Sequence, residues 1–200
     1  MDAIGVIINK KAKNAGKAKY YLDGLKNANI PHISYRTTPK NLPAVLKQCI
    51  HEHQIILVGG GDGTIRTAAH YCANIPIILG VIPLGTLNHF AKELELPFTI
   101  EKLVDSLSAK KTVKIDLVKV NDFIFINNSS IGFYPRFAVK TEKYNKTYNK
   151  WLSYIPGFIE SFKQHPVFNL TIKSKNLNLN LRTSFLMVSN NLYSYEFPAT

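Results

Sequence analysis

The sequence predicts an α/β fold, with an N-terminal three-layer α/β domain built on a parallel sheet and an incomplete β-rich second domain after it. In the first half of the chain, continuously apolar strand segments alternate with helical segments, which is typical of a parallel sheet covered on both faces. After about Val113, strand-like segments follow one another with one helical stretch among them. We therefore predict domains at residues 1–112 and 113–200.

In the first domain, apolar runs predict four strands, and each is followed by a helical pattern. The predicted strands are Ala3–Ile8, His32–Tyr35, Ile55–Val58 and Ile77–Ile82. The predicted helices are Ala18–Ala28, Leu42–His51, Thr64–Ala73, Asn88–Leu94 and Ile100–Ser108.

The second domain is predicted to consist mainly of strands. They are placed at Val113–Val120, Phe123–Asn127, Asn169–Lys173, residues 176–181 and Ser184–Ser189, with a helix at Lys150–Lys163. The chain stops at Phe197–Thr200, soon after a strand, and a β domain ending there would keep an unpaired edge. We therefore expect a chain truncated at its C terminus, and a homodimer that pairs this edge is left open.

The charge of the chain favours an anionic partner. It has 25 Lys and Arg against 13 Asp and Glu, which gives a net charge of +12. Such a surplus suits phosphorylated ligands, acidic membrane surfaces or nucleic acid. A nucleic-acid partner is not predicted, because the sequence has no zinc-ligand spacing, no RNA-recognition signature and no basic helix with heptads.

The two cysteines and the apolar runs predict the compartment. Cys49 and Cys72 form neither a metal-ligand spacing nor a disulfide framework, and are expected to be buried small hydrophobic residues in a reducing cytoplasm. The N-terminal residues lack the pattern of a signal peptide, and Ile75–Leu84 is too short to cross a bilayer. We expect a cytoplasmic protein whose contact with the membrane is peripheral.

A glycine-rich segment, Gly60–Thr64, lies between a predicted strand and a predicted helix. Glycines let the backbone approach a phosphate without interference from Cβ, and the following helix presents free N–H groups and its positive dipole end to the anion. Thr64 would cap the helix or donate to a phosphate. Asp62 would repel a bare phosphate and is suited to orienting Mg²⁺-bound water or a ligand hydroxyl. The alternative is an ordinary turn in which Asp62 caps the helix.

A second segment of the same kind, Pro83–Asn88, also follows a strand and precedes a helix. Two such loops at the carboxyl ends of neighbouring strands would form one crevice, where open α/β sheets bind ligands. The alternative is that Asn88 is an N-cap and Pro83 a turn former.

Together, Gly60–Thr64 and Pro83–Lys92 resemble the catalytic domain of the diacylglycerol kinase family, which includes bacterial lipid kinases and sphingosine kinases. The first motif is shared with NAD kinases and relatives of phosphofructokinase, whereas its combination with the second is much more specific to lipid kinases. Further points of resemblance are Asn9, Asp116-Leu117, Phe125–Gly132 and Val188-Ser189-Asn190.

This resemblance implies an ATP-dependent kinase that transfers the γ-phosphoryl group to a lipid hydroxyl, with Asp62 and Asp116 in a Mg²⁺–water network. The general base of the family lies in a segment beyond Thr200, so no catalytic residue is assigned here. The residues expected at the nucleotide are Asn9, Thr37, Gly60, Gly61, Asp62, Gly63, Thr64, Arg66, Gly85, Thr86 and Asn88.

The sequence departs from the family pattern at three points. Ile65-Arg66 replaces the Asn-Glu that commonly continues the first motif, and His89 replaces the Asp that commonly follows Asn88. No proline follows Asn9. The His89 departure removes one expected member of the metal network.

The segment 140–163 interleaves lysines with an aromatic series at helical spacing. It is interpreted either as a helix packed on the second domain's sheet or as a patch for an anionic membrane surface. The acceptor is left open among diacylglycerol, phosphatidylglycerol, a sphingoid base and an isoprenoid alcohol. The alternatives to a lipid kinase are an NAD-kinase-like small-molecule kinase and a non-catalytic fragment that binds nucleotide or anionic membranes.

Overall fold

The computed structural model describes residues 2–132 and 167–190. They belong to two compact units, one ending at Asn127 and the other beginning at Asn128. The domains predicted at 1–112 and 113–200 stay a prediction. The predicted helix Lys150–Lys163, with its lysines and aromatic residues, lies outside the described residues.

The first unit is built on a four-stranded parallel sheet, as predicted. Its order is β2-β1-β3-β4, so β1 and β3 are the central strands. The bounds are β1, Ile4–Asn9; β2, His32–Thr37; β3, Ile55–Gly60; and β4, Ile78–Pro83. All six residues of β1 are buried, which explains why this strand is apolar without alternation.

Five α-helices cover both faces of this sheet. They are α1, Ala18–Asn27; α2, Leu42–Glu52; α3, Asp62–Cys72; α4, His89–Glu93; and α5, Ile100–Ser108. A 3-10 turn, Ala15–Lys17, precedes α1. The two faces form separate cores, because successive strand side chains point to opposite sides: Ile7 packs with α2, α3 and α4, while Val6 and Ile8 pack with α1 and α5. The predicted three layers are therefore confirmed.

The elements around the two glycine-rich segments differ slightly from the prediction. Strand β3 continues through Gly59 and Gly60, and α3 begins at Asp62, so Gly61 alone separates them. Of the predicted strand Val113–Val120, only β5, Val118–Val120, forms. Val113 is 67% exposed and its polar neighbours are exposed too, so the preceding residues bury no face against a partner strand.

Strand β5 pairs antiparallel with β6, Phe123–Phe125, which is shorter than the predicted Phe123–Asn127. Asn127, the last residue of the first unit, donates from Nδ2 to Oε2 of Glu93 on α4 at 2.6 Å. No helix within the described residues is both long enough and apolar enough to cross a membrane.

In the second unit, the described residues form two antiparallel strand pairs. They are β7, Asn128–Gly132, with β10, Phe185–Ser189; and β8, Phe168–Ser174, with β9, Leu177–Thr183. Strand β7 was not predicted as a separate strand. Gly132 has φ +94°, and a Cβ there would overlap the carbonyl of Ser184, so only glycine suits this end of the β7–β10 pair.

Both cysteines are buried and form no disulfide, as expected, and this placement predicts how slowly their thiols react. Burial raises the pKa of the Cys49 and Cys72 thiols to about 11, so both stay protonated at pH 7.5. Ellman's reagent should therefore react with them roughly 100-fold more slowly in the native protein than in urea, where the thiols have their ordinary pKa. Rapid reaction of the native protein would contradict the buried placement.

Candidate functional site

A cleft opens at the carboxyl edge of the parallel sheet, where the chain reverses direction across it. After β1 the chain moves outward to β2, and it returns to the other side of β1 as β3. Ligands of open α/β sheets bind at this kind of switch point. The cleft has a volume of about 390 Å³, and its lining residues are Asn9, Ala12, Lys13, Pro39, Leu42, Gly61, Asp62, Gly63, Thr64, Thr67, Gly85 and Thr86.

The first wall is the N-terminal turn of α3. Gly61 is the N-cap, and its carbonyl accepts from the backbone N–H groups of Thr64 at 2.8 Å and Ile65 at 3.1 Å. Asp62, Gly63 and Thr64 all line the cleft. The first N–H groups of a helix have no acceptor within the helix and carry partial positive charge, so this wall is suited to an anion.

Asn9, at the end of β1, holds this turn in place. Its Nδ2 donates to Oγ1 of Thr64 at 2.9 Å, and both residues are buried. Its Oδ1 accepts from the backbone N–H of Lys11 at 2.9 Å. The side-chain amide of Asn9 therefore joins β1, the loop after β1 and α3. Because Thr64 Oγ1 accepts from Asn9, its own hydroxyl hydrogen is left for another acceptor.

The second wall is the loop between β4 and α4. Asn88 closes it: Oδ1 accepts from the backbone N–H of Gly85 at 2.8 Å, and Nδ2 donates to the Gly85 carbonyl at 3.3 Å. Asn88 occupies the N-cap position of α4 in the left-handed conformation, with φ 50°, and its side chain makes no capping bond. The Asn88 side chain therefore stabilises the loop rather than the helix. Asparagine tolerates the left-handed conformation better than most residues.

The two walls touch each other through glycine and one carboxylate. A Cβ on Gly85 would lie 2.5 Å from the Cα of Gly61, so the backbones meet where any side chain would separate them. Asp62 Oδ1 accepts from the backbone N–H of Phe90, in the first turn of α4, at 3.1 Å. The sequence alternatives for Asp62 included capping its own helix; in the structure its carboxylate caps the neighbouring helix.

The loop after β1 supplies a third side, which was not predicted. Asn14 donates from Nδ2 to the Gly85 carbonyl at 2.7 Å and from its backbone N–H to the Leu84 carbonyl at 3.0 Å. Lys13, next to Asn14, lines the cleft. The lysine-rich run after Asn9 was the available signal, because it follows a buried strand at its carboxyl end.

Seven of the eleven residues predicted at the nucleotide line the cleft, and four do not. Gly60 is buried at the end of β3, and Thr37 is buried with its carbonyl bound to the N–H of Lys10. The Asn88 side chain is hydrogen-bonded to Gly85 within its own loop. Arg66 is exposed on α3 and does not line the cleft. The seven are Asn9, Gly61, Asp62, Gly63, Thr64, Gly85 and Thr86.

The metal assignment stays a prediction. Asp62 lines the cleft, whereas Asp116 is exposed in the first unit and does not line it. Within residues 2–132 and 167–190, no three His, Cys, Asp or Glu side chains converge as a metal-binding group.

Known proteins resemble this chain in sequence and in fold. Residues 3–120 match the model of the diacylglycerol kinase catalytic domain. The chain belongs to this family. A diacylglycerol kinase of Staphylococcus carnosus is 35% identical over 109 residues, which are 53% of this chain and 36% of that protein. A protein of Streptococcus pneumoniae that is named a putative lipid kinase is 31% identical over 191 residues, which are 92% of this chain and 65% of that protein.

Solved structures agree on the fold. A crystal structure of a diacylglycerol kinase from Bacillus anthracis strain Sterne has a TM-score of 0.71 and 21% identity, covering 96% of this chain and 65% of that chain. A second crystal structure from the same strain has a TM-score of 0.74 and covers 68% of that chain. The chain thus spans between about one third and two thirds of the length of these relatives.

The glycine contact gives a prediction with a matched control. Gly85→Ala should lower the free energy of unfolding by about 1–3 kcal/mol, because the added Cβ forces the two walls apart. A Cβ on Gly63 meets nothing within 4 Å, and Gly63 lies in the first turn of α3. Gly63→Ala should therefore leave stability unchanged or raise it by about 0.5–1 kcal/mol.

Urea unfolding followed by circular dichroism measures both variants. Equal midpoints for Gly85→Ala and the wild type would contradict the close approach of the two walls.

Proposed function

We propose that this protein is an ATP-dependent lipid kinase, which transfers the γ-phosphoryl group of ATP to the hydroxyl of diacylglycerol or a similar lipid alcohol. The observation that carries the proposal is the cleft itself: the N-terminus of α3 and two touching glycine loops stand at the switch point of the sheet. Family membership supports the kinase class. The lipid acceptor and ATP as donor are the proposed parts.

In this proposal the phosphates of ATP lie against the first turn of α3. Gly61 and Gly63 let the backbone come close to phosphate oxygens, and the helix end favours their negative charge. The Thr64 hydroxyl donates to a phosphate oxygen while Asn9 fixes its position. Positioning and charge neutralisation are the main contributions a protein makes to phosphoryl transfer.

The step exchanges one phosphorus–oxygen bond for another. The lipid hydroxyl oxygen bonds to the γ-phosphorus, the bond from that phosphorus to the bridging β–γ oxygen breaks, and ADP leaves. The hydroxyl proton passes to a carboxylate base. We assign that base to none of the described residues.

The residues of the cleft fit a Mg²⁺ ion that is held largely by substrate phosphates. Mg²⁺ binds through one or two carboxylates, phosphates and waters, and Asp62 is the carboxylate in the lining. One oxygen of Asp62 caps α4, and no other hydrogen bond of its side chain is found among the described residues. When bound, the ion would neutralise phosphate charge; Asp116 is the second residue proposed for its water network.

We propose a cytoplasmic protein that works at the membrane surface, since its acceptor is a lipid and the chain carries a net charge of +12. Anionic headgroups are the surface that this charge favours. A homodimer that pairs a strand edge of the second domain is retained as a further proposal.

The proposal is tested by transfer of phosphate from labelled ATP, with Mg²⁺, to a panel of lipids in mixed micelles. The panel holds diacylglycerol, phosphatidylglycerol, a sphingoid base and an isoprenoid alcohol, with NAD as a soluble acceptor. This chain is assayed beside the product of the full natural reading frame. Activity of the longer protein on one lipid supports the proposal, and transfer to NAD alone overturns it. Activity of the 200-residue chain itself would show that the base lies within it.

Two substitutions at Asp62 distinguish a role in metal binding from its hydrogen bond between the two walls of the cleft. Asp62→Asn keeps an oxygen that accepts from Phe90, so its stability should match the wild type, while Asp62→Ala should lose about 1 kcal/mol. Asp62→Asn should bind ATP in EDTA as tightly as the wild type or more tightly, because a charge that repels phosphate is gone. It should lose most of the gain that Mg²⁺ gives the wild type.

Calorimetric titration with and without Mg²⁺ measures these affinities. An Asp62→Asn protein with an unchanged Mg²⁺ dependence would exclude Asp62 from the metal network.

A further inference from the structure

The charged side chains of the cleft are few and opposite in sign. Among its twelve lining residues, Lys13 is the one cation and Asp62 the one anion. The carboxylate is already engaged with α4. Any charge on a phosphorylated ligand beyond what the helix end and a metal neutralise therefore falls to Lys13 among the described lining residues.

The backbone around Lys13 is fixed from three directions. On its N-terminal side, the Ala12 N–H donates to the Asn9 carbonyl at 3.0 Å. On its C-terminal side, Asn14 makes its two hydrogen bonds to the second wall, at Leu84 and Gly85. The Ala15 N–H closes a turn across Lys13 by donating to the Ala12 carbonyl at 3.1 Å. The loop thus holds the lysine beside the second wall.

The ammonium of Lys13 is available to a ligand. Among the described residues, basic and acidic side chains come within ion-pair distance of each other at His53 with Glu52 and at Lys119 with Asp122, and neither contact includes Lys13. Lys13 is exposed, so a bound anion would not have to displace a partner. Lys17, at the end of the 3-10 turn that follows this loop, is also exposed but does not line the cleft, which makes it a matched control.

We propose that Lys13, positioned by Asn14, determines the preference of the cleft for a nucleoside triphosphate over ligands with fewer phosphates. This inference rests on the proposed nucleotide site and names the residue that sets its specificity. A lysine is a compact point charge on a flexible stem, so its attraction follows the charge of the ligand. Each added phosphate group raises that charge, and the contribution of Lys13 rises with it.

The test is calorimetric binding of ATP, ADP and AMP, in EDTA, to the wild type and to Lys13→Met. Methionine keeps the length of the apolar stem and removes the charge. We expect ATP affinity to fall roughly 10-fold, ADP affinity less and AMP affinity hardly at all, with a shallower salt dependence for ATP. Lys17→Met should bind all three ligands as the wild type does.

A second variant tests the positioning. Asn14→Ala retains Lys13 but removes the side-chain bond to Gly85, so it should weaken ATP binding without matching the loss in Lys13→Met. Adding Lys13→Met to Asn14→Ala should then cost less than it does in the wild type, because the displaced lysine contributes less.

The outcomes separate this inference from the proposed function. A wild type that binds none of the three nucleotides, either in EDTA or with Mg²⁺, overturns both. A wild type that binds ATP, with Lys13→Met equal to Lys17→Met, or with equal losses for ATP, ADP and AMP, overturns the role of Lys13 and leaves the nucleotide site standing. Thermal unfolding of each variant shows that a loss of binding is not a loss of fold.

Discussion

The contact between the two glycine loops is the constraint on which the cleft depends. Gly61 and Gly85 approach so closely that a Cβ on either would meet the other backbone. The bond from the Phe90 N–H to Asp62 crosses the same gap. Together they hold the start of α3 beside the start of α4. The N-terminal turn of α3 is thereby enclosed on one side by the second loop.

That contact in turn depends on the sheet. Strands β3 and β4 are paired through Gly60 and Pro83, so the loops that leave them start side by side. The pairing holds because both faces of the sheet are buried beneath helices, as the two hydrophobic cores show. Burial of apolar strands thus sets the position of the polar loops, and the second loop adds Leu84 to the buried core.

Local patterns were sufficient to predict most of the first unit. The limits of α5, Ile100–Ser108, were predicted from its sequence, and the four strands were each placed within a few residues. The glycine-rich segments and the cleft between them followed from strand order and turn chemistry. Of the residues that the family resemblance assigned to the nucleotide, seven line that cleft, and their role there stays a prediction.

The rest could not be predicted because it depends on contacts between distant parts of the chain. Asn14 binds Gly85 across 71 positions of sequence, and no periodicity reports such a bond. The placement of Lys13 in the cleft lining and of Asp62 as a cap for α4 follows from that packing alone. In the second unit, the alternation at residues 176–181 predicted a strand correctly but could not identify its partner, β8.

The cap that Asp62 provides to α4 has a consequence for a bound ligand. Its Oδ1 accepts from the Phe90 N–H in the first turn of α4, while the same side chain lines the cleft. A ligand that draws the carboxylate of Asp62 toward itself would therefore compete with that N–H, and a gain in contact with the ligand would be offset by the loss of a helix cap.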